Sequence, residues 1–330
     1  MKALCIMNEE YVPLMLDSKS RNRISELTGE ELVFMTYAQV MANPQILKDV
    51  EYLFPSYGMG CMDEKFMSYA EKLQGVFFLG GSIKTIVSRT FWDRNIPITC
   101  AAVENAIPVA EFVLGQILLH LKGFFYHCDS YKTNHDYQIY IDKVAGVYNK
   151  KIGLISYGTI AKHLKKLLEN FNLEICVYSP ELNVESAKKE GMTFMSLKEI
   201  FKECDVVSLH TPLLPATVGM IDYELLSNMK PNSAFINSAR GPIVNEKEMI
   251  KVLTERPDIT AFIDVTEEMP IEDNNELYKL KNVFLTPHIA GATGYEKARL
   301  GKLIVEEFER FLNGEQLRYS VDERILSSIA

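Results

Sequence analysis

Arg240 stands in the run Ile236-Asn237-Ser238-Ala239-Arg240-Gly241, and His288 in Leu285-Thr286-Pro287-His288-Ile289-Ala290-Gly291. An arginine is a permanently charged planar fork that matches a carboxylate bidentately. A histidine moves protons near neutral pH. Asp264 ends the apolar run Ala261-Phe262-Ile263. Each also has a bland use: an arginine beside a turn, a packed histidine after a proline, an aspartate closing a strand.

A second pattern concerns phosphate. The strand-like run Ile152–Ser156 passes into Ser156-Tyr157-Gly158-Thr159-Ile160-Ala161 and then into a helical stretch. This is the G-x-G-x-x-G slot with Ser in first place and Ala, an accepted variant, in third. Gly158 sits where backbone must approach a pyrophosphate. The N–H groups opening the helix, around Tyr157, Gly158, Thr159 and Ile160, would hold the phosphates. A tight strand-to-helix turn without a ligand fits the same motif. The next strand, Leu173–Tyr178, ends at Ser179-Pro180-Glu181, where an NAD enzyme places an acid on the adenine ribose. Ser179 lacks the charge that excludes a 2′-phosphate, and no Arg follows to attract one. It can hydrogen-bond a ribose hydroxyl, with Glu181 nearby. NAD is expected, and NADP stays open.

The elements that must position these groups follow from periodicity. Strands are expected at Ala3–Met7, Leu32–Met35, Tyr52–Phe54, Gly75–Leu79 and Ile96–Thr99, separated by helix-like stretches. A helix is expected over Pro108–Leu121 with its proline in the first turn. The apolar stretch Ile107 to Phe125 holds Glu111, Gln116, His120 and Lys122, so it reads as a long buried helix and not as a membrane span. The Tyr-rich stretch His127 to Tyr148 reads as an extended arm or loop, part of a subunit contact. Beyond it, strands at Ile152–Ser156, Leu173–Tyr178, Asp205–Leu209, Ser233–Asn237, Ile259–Asp264 and Val283–Leu285 alternate with helices at Ile160–Asn170, Val184–Glu190, Leu197–Glu203, Tyr223–Asn228 and Glu246–Thr254. A last helix is expected at Glu296–Asn313. That alternation implies a parallel, doubly wound sheet.

Composition narrows the classes. The chain has 330 residues, 47% hydrophobic and 24% charged, which suits about two globular domains. A formal net charge of -9 without a basic cluster argues against nucleic acid or anionic membrane as partner. Cys5, Cys61, Cys100, Cys128, Cys176 and Cys204 form no C-x-x-C pair and no Cys/His cluster, so no metal site is expected. They read as small hydrophobes in a reducing, cytoplasmic compartment.

With His210-Thr211-Pro212-Leu213-Leu214-Pro215-Ala216-Thr217 added, the three segments follow the fingerprint in an order that resembles the D-isomer-specific 2-hydroxyacid dehydrogenase family. The resemblance is dense from Asn105 to Leu317. It implies an α/β fold of two Rossmann-like domains, each with a mainly parallel sheet, separated by a cleft. A dinucleotide-binding domain would span 103–292, and a discontinuous substrate-binding domain 1–102 plus 293–330. It implies a homodimer acting with NAD on a small 2-hydroxy or 2-oxo acid. Arg240 falls on the arginine that binds the substrate carboxylate and polarises its keto oxygen, and His288 on the general acid/base. Asp264 falls near the nicotinamide carboxamide. Gly81, Ser82 and Asn105 resemble the substrate-carboxylate loop and an asparagine beside it. Tyr157, Gly158, Thr159, Ile160, Ser179, His210, Pro212, Thr217, Ser238, Asp264 and His288 fall on positions that meet the cofactor.

One departure touches the chemistry. The family pairs its histidine with a glutamate five residues after the aspartate, and here Asp264-Val265-Thr266-Glu267-Glu268-Met269-Pro270 puts Met269 there. A free histidine, with a pKa of about 6.5, is roughly a quarter protonated at pH 7. Raised by ~1.5 units it would be about nine-tenths protonated, so the loss in population is only ~4-fold. Lost orientation costs more: up to about 10⁴ in rate when a serine protease loses its orienting carboxylate. Slow dehydrogenase chemistry is expected. The alternative is a nucleotide-binding sensor or scaffold with little or no turnover. Ser156, Ser179 and Met269 favour that alternative, and Arg240 and His288 oppose it.

Overall fold

Mostly apolar runs of two to six residues form twelve strands among the described residues of a computed structural model, which describes residues 1–135 and 137–326. Five strands, β1 (Ala3–Ile6), β2 (Val33–Met35), β3 (Tyr52–Pro55), β4 (Gly75–Phe78) and β5 (Ile98–Cys100), make one sheet in the order β2-β1-β3-β4-β5. Seven more make the second sheet: β6 (Lys150–Ile155), β7 (Leu173–Tyr178), β8 (Thr193–Phe194), β9 (Val206–Leu209), β10 (Ala234–Asn237), β11 (Thr260–Ile263) and β12 (Val283–Leu285). Their order is β12-β11-β10-β9-β6-β7-β8. Every pairing within both sheets is parallel. Among the described residues the chain divides into a unit of Met1–Ala106 with 292–326, and a unit of Ile107–Gly291.

Both sheets carry apolar cores on both faces, so strands such as β1, β3, β4, β9 and β10 are buried along their length, while the edge strands β2, β8 and β12 are not. In β1, Leu4 and Ile6 join the core on one face, while Ala3 and Cys5 join the core on the other. On that second face Phe54, Phe77 and Phe308 meet in a ring cluster with centroids 5.0–5.5 Å apart. Phe308 arrives on the helix Lys297–Leu312, which comes so close to the chain at Met15 that a Cβ on Gly301 would stand 1.7 Å from the Met15 carbonyl oxygen. In the larger unit Ile152 and Leu154 of β6 face one core, and Ile155 the other.

Open parallel sheets bind ligands at the carboxyl edge, where strand order reverses. That point lies between β1 and β3 in the small sheet and between β6 and β9 in the large one. The order of the large sheet is the 3-2-1-4-5-6 dinucleotide-binding order with one strand added.

The strands Leu173–Tyr178 and Val283–Leu285 and the helix Leu197–Glu203 form with the expected bounds. Other expectations need correction. The helix expected from Pro108 begins at Ala102 and runs to Leu121, with Pro108 inside it. The missing N–H is outweighed by the stripe Ala110, Val113, Ile117 and Leu121 packed into the core of the seven-stranded unit. That helix is not buried all round: Leu119 is 40% exposed. By length and composition alone it is apolar enough to cross a membrane. The expected arm at His127 to Tyr148 starts as a helix, Phe124–Asn134. Its periodicity is weak because Tyr126 and Tyr131 face solvent. The chain after it folds back, with the Tyr140 N–H donating to His127 Nε2 at 3.1 Å. Asp136 of that stretch and residues 327–330 of the expected substrate-binding domain lie outside the described residues.

Candidate active site at the carboxyl edge of the seven-stranded sheet

Three adjacent strands deliver the chemical side chains. Arg240 follows β10, Asp264 follows β11, and His288 stands three residues beyond β12. Asp264 is buried at 3% exposure, and its carboxylate organises the histidine turn. It accepts from the Thr286 hydroxyl at 2.6 Å, the Ile289 N–H at 2.8 Å and the Ala290 N–H at 2.9 Å. The His288 N–H donates to the Asp264 carbonyl at 3.0 Å. This web holds His288 at φ 57°, a left-handed backbone uncommon outside glycine.

The Arg240 turn is built the same way. Asn237 brackets it, accepting from the Ala239 N–H at 3.0 Å and donating to the Arg240 carbonyl at 3.3 Å. The Arg240 Nη1 donates to the Ala239 carbonyl at 2.6 Å, which leaves most of the guanidinium fork unspent. Partial burial pulls its pKa down, and it stays charged at any physiological pH. Desolvation holds the His288 imidazole below the ordinary histidine value. The Asp264 carboxylate opposes that shift and the Arg240 cation adds to it.

The segment carrying Met269 is pinned from two sides. A Cβ on Gly241 would stand 1.9 Å from the Thr266 carbonyl oxygen, so the Arg240 turn and this segment touch backbone to backbone. The buried Glu246 carboxylate accepts from the Glu267 N–H at 2.8 Å and from Asn275 Nδ2 at 3.0 Å. Met269 itself is 51% exposed. Sequence reading missed Glu246, since a glutamate opening a helix carries no signal that it will be buried.

The fingerprint turn leaves β6 at the point where strand order reverses. Ser156 takes φ 71°, the conformation a glycine would adopt at lower cost. Its hydroxyl lies 3.0 Å from the Thr211 hydroxyl beyond β9. Gly158 caps the helix Thr159–Leu168 without a side-chain bond, so the N–H groups at Thr159 and Ile160 have no cap. Nothing lies within 4 Å of where a Gly158 Cβ would stand. Both nitrogens of His210 and the Ser238 hydroxyl are buried without partners. Burial pushes the His210 imidazole down to about 4, so the ring is neutral. Such orphaned groups beside open backbone fit a polar ligand laid across the edge.

Other expected residues are occupied. The Thr217 hydroxyl donates to the Pro212 carbonyl at 2.7 Å and fixes its own loop. The Tyr157 hydroxyl donates to Glu190 at 3.3 Å, and Ser179 donates to Glu181. In the five-stranded unit Gly81 lies against Asn105, where a Cβ would stand 3.1 Å from Nδ2. Asn105 Oδ1 accepts from the Ala292 N–H at 2.9 Å. The Ser82 hydroxyl accepts from the Lys84 N–H at 3.5 Å.

A family model for the D-isomer specific 2-hydroxyacid dehydrogenase NAD binding domain matches residues 114–290. A glyoxylate reductase of Thermococcus litoralis is 36% identical over 183 residues, 56% of this chain and 55% of the relative. A D-3-phosphoglycerate dehydrogenase of Methanocaldococcus jannaschii is 30% identical over 310 residues, 94% of this chain and 56% of the relative. The chain thus spans about half the length of these relatives. The NAD-complexed D-isomer specific 2-hydroxyacid dehydrogenase of Lactobacillus delbrueckii ssp. bulgaricus superposes with a TM-score of 0.80 at 21% identity, covering 97% of this chain and 100% of that one. The likeness in fold and the matched motifs agree: the chain belongs to the D-isomer specific 2-hydroxyacid dehydrogenase family, whose NAD-binding domain it carries at 114–290.

Proposed function

We propose that this chain is an NAD-dependent oxidoreductase that interconverts a small D-2-hydroxy acid and its 2-oxo acid, with slow turnover. The observation that carries the reading is the delivery of Arg240, Asp264 and His288 from adjacent strands to one edge, with Asp264 bonding the turn that presents His288. The names of the relatives, glyoxylate reductase and D-3-phosphoglycerate dehydrogenase, point to small 2-oxo acids as substrates.

NAD supplies hydride exchange at its nicotinamide. The N–H groups at Gly158, Thr159 and Ile160 would hold its pyrophosphate, Tyr157, Ser179, His210, Pro212, Thr217 and Ser238 would border it, and Asp264 and His288 would meet its nicotinamide end. Arg240 grips the substrate carboxylate through two parallel N–H bonds and draws electron density from the keto oxygen. His288 gives its proton to that oxygen as negative charge develops on it. Burial and the Arg240 charge hold His288 below the ordinary histidine value, and with Met269 at the family's glutamate position no carboxylate from there would raise it or orient the ring.

The proposal includes a homodimer in a reducing, cytoplasmic compartment. Phe124, Tyr126, Tyr131, Ile139, Ile141 and Tyr148 are exposed along one stretch of the chain, and a second copy would cover such side chains. All six cysteines are free.

The test is NADH oxidation with glyoxylate, hydroxypyruvate and pyruvate, comparing wild type, Met269→Glu and His288→Ala, with NADH binding measured in parallel. Wild-type turnover should be slow and highest at acid pH. Met269→Glu should raise it and move the profile alkaline by about one unit. His288→Ala should abolish it while NADH still binds. Silence of the wild type with NADH bound, and activity only in Met269→Glu, supports the sensor instead.

A further inference from the structure

Ser179 is neutral, so it does not by itself tell NAD from NADP. The turn after it brings a charge to the same place. The Leu182 N–H donates to the Ser179 carbonyl at 3.2 Å, closing a four-residue turn with Pro180 second and Glu181 third. Within that turn the Ser179 hydroxyl donates to Glu181 Oε2, which ties the exposed Glu181 side chain against residue 179.

This turn and the phosphate turn leave neighbouring strands side by side. β6 and β7 pair with Ile155 opposite Tyr178, and the Ser156 N–H donates to the Tyr178 carbonyl at 2.7 Å. A dinucleotide with its pyrophosphate over Gly158 therefore brings its adenine ribose to Ser179. A second carboxylate, Glu190, is tied to the phosphate turn by the Tyr157 hydroxyl at 3.3 Å. The turn 179–182 holds no cation; Lys188 and Lys189 stand at the far end of the helix Val184–Lys189.

We propose that Glu181, held by the Ser179 hydroxyl, selects NAD over NADP. Its carboxylate accepts a hydrogen bond from the adenine ribose and repels a 2′-phosphate. The acid that normally ends the second strand has moved two residues on, and a serine links it to the old position. The inference rests on the dinucleotide site described above.

Fluorescence titration with NADH and NADPH tests it. Wild type should bind NADH at least about tenfold tighter. Glu181→Gln should tighten NADPH about fivefold or more and weaken NADH by a smaller factor, as the ribose loses its charged acceptor, so that the preference for NADH collapses. Glu181 is exposed in a turn, so this variant keeps the fold. Raising ionic strength from about 0.02 M to about 0.5 M should narrow the wild-type preference and leave that of Glu181→Gln unmoved, since an exposed charge is screened. Ser179→Ala, which unties the carboxylate, should fall between the two. Equal affinities in wild type, or an unchanged ratio in Glu181→Gln, overturns the assignment while the nucleotide site stands. Failure of wild type to bind either dinucleotide removes the site itself.

Discussion

The two sheets reverse strand order in the same manner, yet only one is left open at the reversal. In the five-stranded unit the chain fills its own crevice. The Asn8 N–H donates to the Tyr57 carbonyl at 2.9 Å, and the Ser56 hydroxyl donates to the Leu79 carbonyl at 2.6 Å. The Asn8 side chain lies where a Gly58 Cβ would stand, 2.1 Å from its Oδ1. Lys297, 8% exposed, sets its ammonium 5.7 and 5.4 Å from the ring centroids of Tyr11 and Tyr57 and donates to the Ala292 carbonyl. In the seven-stranded unit His210 and Ser238 stay unpartnered and Gly158 faces open space. A reversal of strand order permits a site, and unspent polar groups make one.

The comparison breaks first at Arg240. Arg240→Lys keeps the charge but loses the fork, and should lower kcat/KM for 2-oxo acid reduction about 10²-fold, roughly 3 kcal/mol, with NADH binding unchanged. An unaltered rate would move the working edge elsewhere.

Acid should separate the units next. All six histidines lie in the seven-stranded unit. Burial pushes His210 and His120 down to about 4, so the unfolded chain binds these protons first as pH falls. Stability is therefore complete above about pH 6.5 and lost toward pH 4, by up to about 3 kcal/mol for His210 and less for the part-exposed His120. Hydrogen exchange should quicken in β6 to β12 and not in β1 to β5 over that range. His210→Asn should flatten the response.

The glycines give opposite outcomes. Gly58→Ala, at φ 92° and against Asn8, should cost about 2 kcal/mol in chemical denaturation and leave NADH binding alone. Gly158→Ala should leave stability within about 0.5 kcal/mol and weaken NADH binding about tenfold or more. The smallest contrast pairs two serines. Ser56→Ala loses a buried hydrogen bond, at about 1 kcal/mol, while Ser238→Ala removes an orphaned hydroxyl and should cost the fold nothing.

Much of this was legible in the residues. The strands Leu173–Tyr178 and Val283–Leu285 follow from apolar runs closed by turn residues, and the phosphate turn from Gly158 between a strand and a helix. The start of the helix Ala102–Leu121 was not, because propensity places a proline at a first turn while packing carries this helix through Pro108. Nor was the helix Phe124–Asn134, whose tyrosines face solvent and break the periodicity.

The sequence by itself determined the family, the alternation of strands and helices, and the absence of a glutamate at 269, since these depend on residue type and spacing along the chain. Only the tertiary structure decided how those residues are spent. Asp264 supports the His288 turn, Glu246 holds the segment of Met269, Glu181 returns to Ser179, and Lys297 closes a crevice with two tyrosines. Each depends on which polar groups burial brings within hydrogen-bonding reach, and burial is a property of the packed layers rather than of neighbours in the chain.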